Sequence, residues 1–347
     1  MNPVKIENAV IIRSNTRLED LKAKFNTVEQ AKFYIKKSQE NFYGKSQNSF
    51  TNDKKNSPKQ SSNVQISQKE ASNTNGNDFI EYEDEDKNFY NAFENVKKQI
   101  SSLLKIKVVE QRYLPSNIFS ENDLVIVLGR DGLVANTAKY VSNIPIIAIN
   151  PDKKRYDGVL LPFESNNFMR AVNEVLSGNY KAQKVSMAEA VLNDGQRLLA
   201  FNELFIGVRS HSSARYQISF SGTTENHSSS GIIVSTGAGS TGWLSSIFNM
   251  TNGIISGFSS NPKLKPEKIP KDANYLVFVV REPFASVSSQ AGIVAGKIQN
   301  GGELLIESLM PNDGIIFSDG IFSDFLNFNS GTIAKIGIAK EKAILVY

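Results

Sequence analysis

Residues 124–141, LVIVLGRDGLVANTAKYV, join an unbroken apolar run to a Gly-x-Asp-Gly turn and a helix-forming segment. Leu124, Val125, Ile126, Val127 and Leu128 lack the polar alternation of a half-exposed strand, so the run reads as a strand covered on both faces of a parallel sheet. Ligands bind beyond the carboxyl ends of such strands. Gly129 and Gly132 let the backbone turn tightly and approach a ligand, and a helix starting there offers free N–H groups to an anion. Between them stands Asp131, a carboxylate where phosphate would lie. Repulsion makes it a poor phosphate ligand, so it fits a group that takes a proton from an attacking hydroxyl or holds magnesium. A tight strand-to-helix turn with Asp as N-cap explains the same letters. The turn alone does not choose between these readings.

A chain of 347 residues, 40% of them hydrophobic, is long enough for two domains with a sizeable core. Its net charge of +4, with lysines spread along the chain, is not a nucleic-acid-binding pattern but is compatible with a small polyanionic ligand. With no cysteine, disulfides, thiolate catalysis and Cys-ligated zinc are excluded together. The two histidines, His211 and His227, cannot form a histidine-rich metal site, and no metal-ligating residue set is expected in the chain itself. No apolar stretch approaches the ~20 residues of a membrane span, and MNPVKIENAV has no signal-peptide core. A cytoplasmic protein is expected, with no membrane or nucleic-acid partner.

In chain order, a strand at 9–12 precedes helical sequence over 18–42. Residues 44–78 are rich in Ser, Asn, Lys and Gln with little to bury, which predicts a disordered polar insertion. Acidic EYEDEDKN then leads into an amphipathic helix over 88–104, followed by strands at 106–110, 124–128 and 144–150 and a helix over 166–176. Strands alternating with helices predict a doubly wound α/β domain over 1–184. Beyond it, strand-like segments at 198–208, 214–220, 231–236, 275–280, 293–298, 303–309 and 314–317 are separated by Gly, Ser and Asn, and helical periodicity nearly disappears. An antiparallel β-rich domain is expected over 185–330, with strands in 331–347 that return to the first domain.

Three motifs occur in one order: Gly129-Arg130-Asp131-Gly132, Asn202-Glu203 in AFNELFIG, and GIIVSTGAGSTGW over 231–243. Together with REPF at 281–284 and Ser318-Asp319-Gly320, they resemble the NAD kinase family over nearly the whole chain. The resemblance implies an α/β nucleotide-binding domain plus a β-rich domain. It also implies transfer of the γ-phosphate of ATP, carried with Mg2+, to the 2′-hydroxyl of the adenosine ribose of NAD. Asp131 corresponds to the catalytic carboxylate, and Gly129, Arg130 and Gly132 to the phosphate and ATP-binding positions. Asn202, Glu203, Ser230, Ser240, Thr241 and Asp319 correspond to the NAD-binding side. A homo-oligomer built through the β domain is implied as well.

Two positions depart from the family pattern. Arg130 replaces a glycine and Leu133 replaces a threonine; an arginine there is strained if the site needs positive φ, yet its guanidinium can clamp phosphate. Ser228-Ser229-Ser230-Gly231 and Trp243 are closer to the mitochondrial-type branch than to bacterial members with an Asp before the glycine. Two other readings follow: a kinase of the same superfamily acting on a sugar or lipid hydroxyl, and a catalytically silent dinucleotide-binding regulator. His211 and His227 read as surface residues on a β edge, Arg209 and Arg215 as solvating a strand face, and Trp243 as a packing residue at the domain junction.

Overall fold

A computed structural model describes residues 5–37, 77–258, 264 and 268–347 of the chain. The predicted polar insertion over 44–78 lies, but for its last two residues, outside the described residues. The first half runs β1 (Asn8–Arg13), α1 (Arg17–Phe25), α2 (28–37), α3 (Asn77–Ile100), β2 (Lys105–Glu110), β3 (Asp123–Leu128), α4 (Asp131–Ala138), β4 (Pro145–Asn150), β5 (Phe163–Glu164) and α5 (Met169–Leu176). Strands β2, β1, β3 and β4 are neighbours in that order and pair in parallel. The apolar runs of these strands alternate between two cores. Val10, Ile12, Val125, Val127, Ile146 and Ala148 pack under α4, while Ala9, Ile11, Leu124, Ile126, Ile147 and Ile149 pack under α3 and α5. Helices on both faces make this the doubly wound layer that the unbroken run of β3 requires.

The second half consists of β6 (Ala182–Leu192), β7 (Arg197–Ala200), β8 (Glu203–Val208), β9 (Ala214–Phe220), β10 (Thr223–Ser229), β11 (Ile232–Ser235), α6 (Trp243–Phe258), β12 (Tyr275–Val280), β13 (Ala295–Gln299), β14 (Leu304–Ser308), β15 (Gly314–Ser318), β16 (Ile321–Asn327) and β17 (Ile333–Val346). Strands β13, β12, β11, β8, β15 and β16 form an antiparallel sheet in that order. It packs on β6, β7, β9, β14 and β17 through a core that includes Leu204, Ile206, Tyr216, Ile232, Phe278 and Ile306. Strand β17 joins the halves: it pairs antiparallel with β6 and β14, and in parallel with β4 through Ile344 and Leu345.

Several elements differ from the sequence expectation, each for a tertiary reason. The first helix breaks at Asn26, whose φ is 63°. Helix α3 begins at Asn77, so EYEDEDKN is helical, with Glu85 and Asp86 turned onto Arg17 and Thr16. The single strand expected over 198–208 is split at Phe201 and Asn202. Strand β6, rich in helix formers, is held extended by its ladder with β17. Helix α6 contains weak helix formers such as Gly253 and Gly257, and is held by Leu244 and Phe248 packing on Val277 and Val279.

Ile147, fully buried in the core under α3 and α5, tests the parallel layer. Ile147→Ala is expected to lower unfolding stability by about 2–5 kcal/mol, read as a lower urea midpoint with an unchanged slope.

Candidate active site

The turn after β3 sits where the carboxyl ends of β1, β3 and β4 meet. Arg130 has φ −106° and ψ 168°, an extended conformation open to any residue, so this position needs no glycine. Its guanidinium lies 4.7 Å from the centre of the Tyr156 ring and donates to Glu85 Oε1 at 2.8 Å. Tyr156 donates to the same oxygen at 2.9 Å, and Arg17 donates to Oε2. Burial pushes the Glu85 carboxyl up, but the hydrogen bonds from Arg17 and Tyr156 outweigh it, and the group sits below its ordinary value. Leu133, in place of the family's threonine, is a core residue packed beneath the turn. A Cβ on Gly129 would stand 2.8 Å from a Leu133 methyl, whereas Gly132 has open space where its Cβ would be.

Asp131 opens α4. Its Oδ1 accepts from the Leu160 amide at 2.8 Å and its Oδ2 from the Val159 amide at 3.2 Å, which fixes the carboxylate against the loop that follows β4. The other end of the helix is tied to the β half. Lys139, nearly fully buried, donates to Ser318 Oγ at 2.8 Å and to Asp324 Oδ2 at 2.9 Å, and the Tyr140 hydroxyl also donates to Asp324.

Next to Ser318, Asp319 takes a left-handed conformation with φ 53°. This aims its carboxylate at the break between β7 and β8, where it accepts from the amides of Phe201 at 3.0 Å, Asn202 at 2.6 Å and Glu203 at 3.2 Å. Burial holds the Asp319 carboxyl above its ordinary value despite Lys139 and those amides. Burial, and then the charge of Asp319, push Glu203 up from 4.5 to about 7. Neither the Asn202 nor the Glu203 side chain has a hydrogen-bond partner among the described residues. Asp319 holds the backbone that carries them.

The Ser-Thr-Gly segment is packed onto the same corner. Thr236 donates through its hydroxyl to the Phe201 carbonyl at 2.6 Å and through its amide to the Asn202 carbonyl at 2.9 Å. A Cβ on Gly239 would lie 2.1 Å from the Asn202 carbonyl oxygen, and one on Gly237 would lie 1.8 Å from that of Pro270. These glycines therefore serve backbone approach within the protein. Ser240 donates back to the Gly237 carbonyl at 2.8 Å, and Thr241 is exposed beside it.

Asp131 and the Asn202, Glu203, Ser240, Thr241 and Asp319 group are thus linked by one short helix, whose ends lie roughly 12 Å apart at 1.5 Å per residue. Ser230 is outside this cluster within one chain. Since Ser235 pairs with Glu203 and Ile232 with Ile206, Ser230 lies roughly 17 Å along the sheet from the Glu203 level.

Other sequence expectations change. His227 is buried, with Nε2 at 2.9 Å from Glu225, rather than on the surface. Trp243 stacks on Phe205 at 5.8 Å, on the outer face of the antiparallel sheet and not at the domain junction. His211 and Arg215 are exposed, as expected of surface residues, and Arg209 lies over Phe325 at 4.4 Å. Sequence reasoning missed Glu85, Tyr156, Lys139 and Asp324. Lys139 alone left a signal, as a charge embedded in the apolar VANTAKYV.

No family model matches the chain. It is 31% identical over 155 residues to an NAD kinase of Clostridium kluyveri, covering 42% of this chain and 53% of that protein. It is 29% identical over 146 residues to an NAD kinase of Saccharolobus islandicus, with the same shares covered. The chain spans about half the length of the curated relatives it matches. Its fold matches that of yeast NADH kinase, crystallised with NADH, at a TM-score of 0.53 and 15% identity, covering 74% of this chain and 79% of that one.

The raised Glu203 carboxyl gives this corner a pH signature. The folded state holds the proton more tightly than the unfolded chain, so Glu203 contributes stability that is complete below about pH 4.5 and lost as the pH rises through about 7. Glu203→Gln is expected to melt increasingly above the unmodified protein from pH 5 to pH 8. A pH-independent difference in melting temperature would show that the carboxylate is not buried at a cost.

Proposed function

We propose that this chain, related to the NAD kinases in sequence and sharing the fold of yeast NADH kinase, is an ATP-dependent kinase that phosphorylates the 2′-hydroxyl of the adenosine ribose of NAD. The observation that carries the reading is a fixed carboxylate at the glycine turn that opens α4, with the far end of that helix tied through Lys139 and Ser318 to the Asp319 corner that carries an unpartnered Asn-Glu pair.

In this reading Asn202 and Glu203 grip ribose hydroxyls or the adenine edge, with both donors and acceptors available. Ser240 and Thr241 line the pocket beside them, and Asp319 holds the corner in shape. Gly129, Arg130 and Gly132 face the phosphates of ATP. Arg130 donates one of its N–H groups to Glu85 and sits over the Tyr156 ring, so the rest of its fork is oriented before phosphate arrives. The ribose oxygen bonds to the γ-phosphorus as the bond to the β,γ-bridging oxygen breaks. ADP leaves, and the hydroxyl proton passes to Asp131.

Among the described residues no group of three His, Asp or Glu side chains converges on a metal position. Mg2+ needs only one or two protein carboxylates when substrate phosphates hold it, and when bound it would neutralise phosphate charge, leaving Asp131 to receive the proton. The extended backbone of Arg130 removes the strain that favoured a catalytically silent protein.

A cytoplasmic homo-oligomer completes the proposal. Among the described residues no helix is long and apolar enough to cross a membrane. An apolar groove lined by Met250, Ile254 and Val294 runs between α6 and the sheet edge, a surface suited to a second copy. Light scattering of the purified protein checks this, and the mass of a single chain would count against it. Ser230 would enter an NAD site only from such a neighbouring copy.

Incubation of the purified protein with NAD, ATP and Mg2+ should yield NADP. Asp131→Asn should lower turnover by about 10²–10⁴-fold with NAD affinity kept. Equal turnover in the variant would remove Asp131 from the chemistry, and an absence of NADP with the unmodified protein would remove the reaction.

A further inference from the structure

The Asn-Glu corner gathers three carboxyl groups around one cation. Glu203 opens β8, Asp319 lies in the turn after β15, and Asp324 lies on β16. The Asp319 amide donates to the Glu203 carbonyl at 3.0 Å, which keeps the first two residues side by side. From the end of α4, Lys139 donates to Asp324 and Ser318, and the Tyr140 hydroxyl donates to Asp324 as well. The charge of Lys139 also acts on Asp319. Strand β11 and the segment behind it add Ser235, Thr236, Ser240 and Thr241, all uncharged. None of these groups serves the Glu203 carboxyl.

The Glu203 side chain is half-buried and has no hydrogen bond or ion pair among the described residues. Taking a carboxyl out of water, beside a second carboxyl and with no donor for its charge, favours the protonated form. Burial first, and the Asp319 charge second, raise this group accordingly. Hydrogen bonds donated to the charged form act in the opposite sense. A ribose carries hydroxyls on adjacent carbons, each an O–H donor, and a carboxylate has two oxygens to accept them. A ligand of this chemistry supplies what the free corner lacks.

Building on the kinase reading, we propose that dinucleotide binding is proton-linked at this corner, Glu203 holding a proton in the free protein in mildly acid solution and losing it when its carboxylate accepts from the adenosine ribose. The carboxyl O–H bond breaks, its proton passes to solvent, and the ribose hydroxyls keep theirs. Affinity for the dinucleotide then rises with pH until the free protein has lost the proton unaided, near pH 7, and is level beyond it. The linkage acts on affinity and not on phosphate transfer, which Asp131 serves at the start of α4.

Calorimetric titration with NAD in buffers of different ionisation enthalpy counts the protons exchanged. The unmodified protein should release close to one proton per NAD at pH 6 and almost none at pH 8.5, with affinity about tenfold higher at pH 8 than at pH 6. NADH should release the same proton, because the donors sit on the adenosine ribose. Glu203→Gln keeps the shape of the side chain and cannot titrate, so its affinity should be level over that range with no release. Ser240→Ala alters the same pocket without touching the carboxyl and should keep the release. NAD binding without proton exchange, with proton uptake, or with a release that persists in Glu203→Gln would overturn the linkage, whether or not NADP is formed. Proton-linked binding without NADP keeps the linkage and loses the phosphate transfer. A protein that binds no NAD loses both.

Discussion

Lys139 is the interaction on which the rest of the site depends. Its ammonium leaves water at the end of α4 and is satisfied by Ser318 and Asp324, both in the antiparallel half. A buried pair of this kind adds little net stability compared with apolar residues, but removing one partner costs about 3–5 kcal/mol because the other charge is stranded. It therefore acts as a register pin. It holds Ser318 in place, and with it the left-handed Asp319 that caps the break between β7 and β8. Without that carboxylate, the amides of Phe201, Asn202 and Glu203 would have to find water or another acceptor.

Strand β17 makes a pin of this kind workable. A hinge between two separate domains would let the α4 end and the β15–β16 turn drift apart. Here β17 pairs with β4 on one side and with β6 and β14 on the other. The parallel layer and half of the sandwich are consequently one continuous sheet. The Lys139 cluster is a further point of attachment between the halves. A backbone ladder, a buried charge and the shared apolar core of Leu133, Val134 and Ala138 with Met187, Leu199 and Phe201 hold the glycine turn and the Asn-Glu corner in one frame.

The parts legible in the sequence are those set by local composition. The apolar run 124–128, the glycine turn after it and the Asn202-Glu203 pair all stand out because their letters are unusual for their context. What escaped notice is what partners at long range impose. Glu85 is one acid in an acidic run, and only the approach of Arg17, Arg130 and Tyr156 makes it the centre of a network. Strand β6 reads as helix former until β17 pairs with it. Helix α6 reads as irregular until Leu244 and Phe248 meet β12.

The departures from the family pattern have the same kind of explanation. A glycine is indispensable only where φ is positive or another backbone comes too close, and Arg130 meets neither condition. Its backbone is extended, and its side chain leaves the turn for Glu85 and Tyr156. Leu133 exchanges a hydroxyl for core contacts under β3. Gly237 and Gly239 do meet the second condition, since Cβ atoms there would meet the carbonyl oxygens of Pro270 and Asn202. A motif read as a list of letters weights all glycines alike. Read through φ and contact distance, the turn tolerates its arginine, while the segment after β11 could not give up Gly237 or Gly239 without moving the Pro270 or Asn202 backbone.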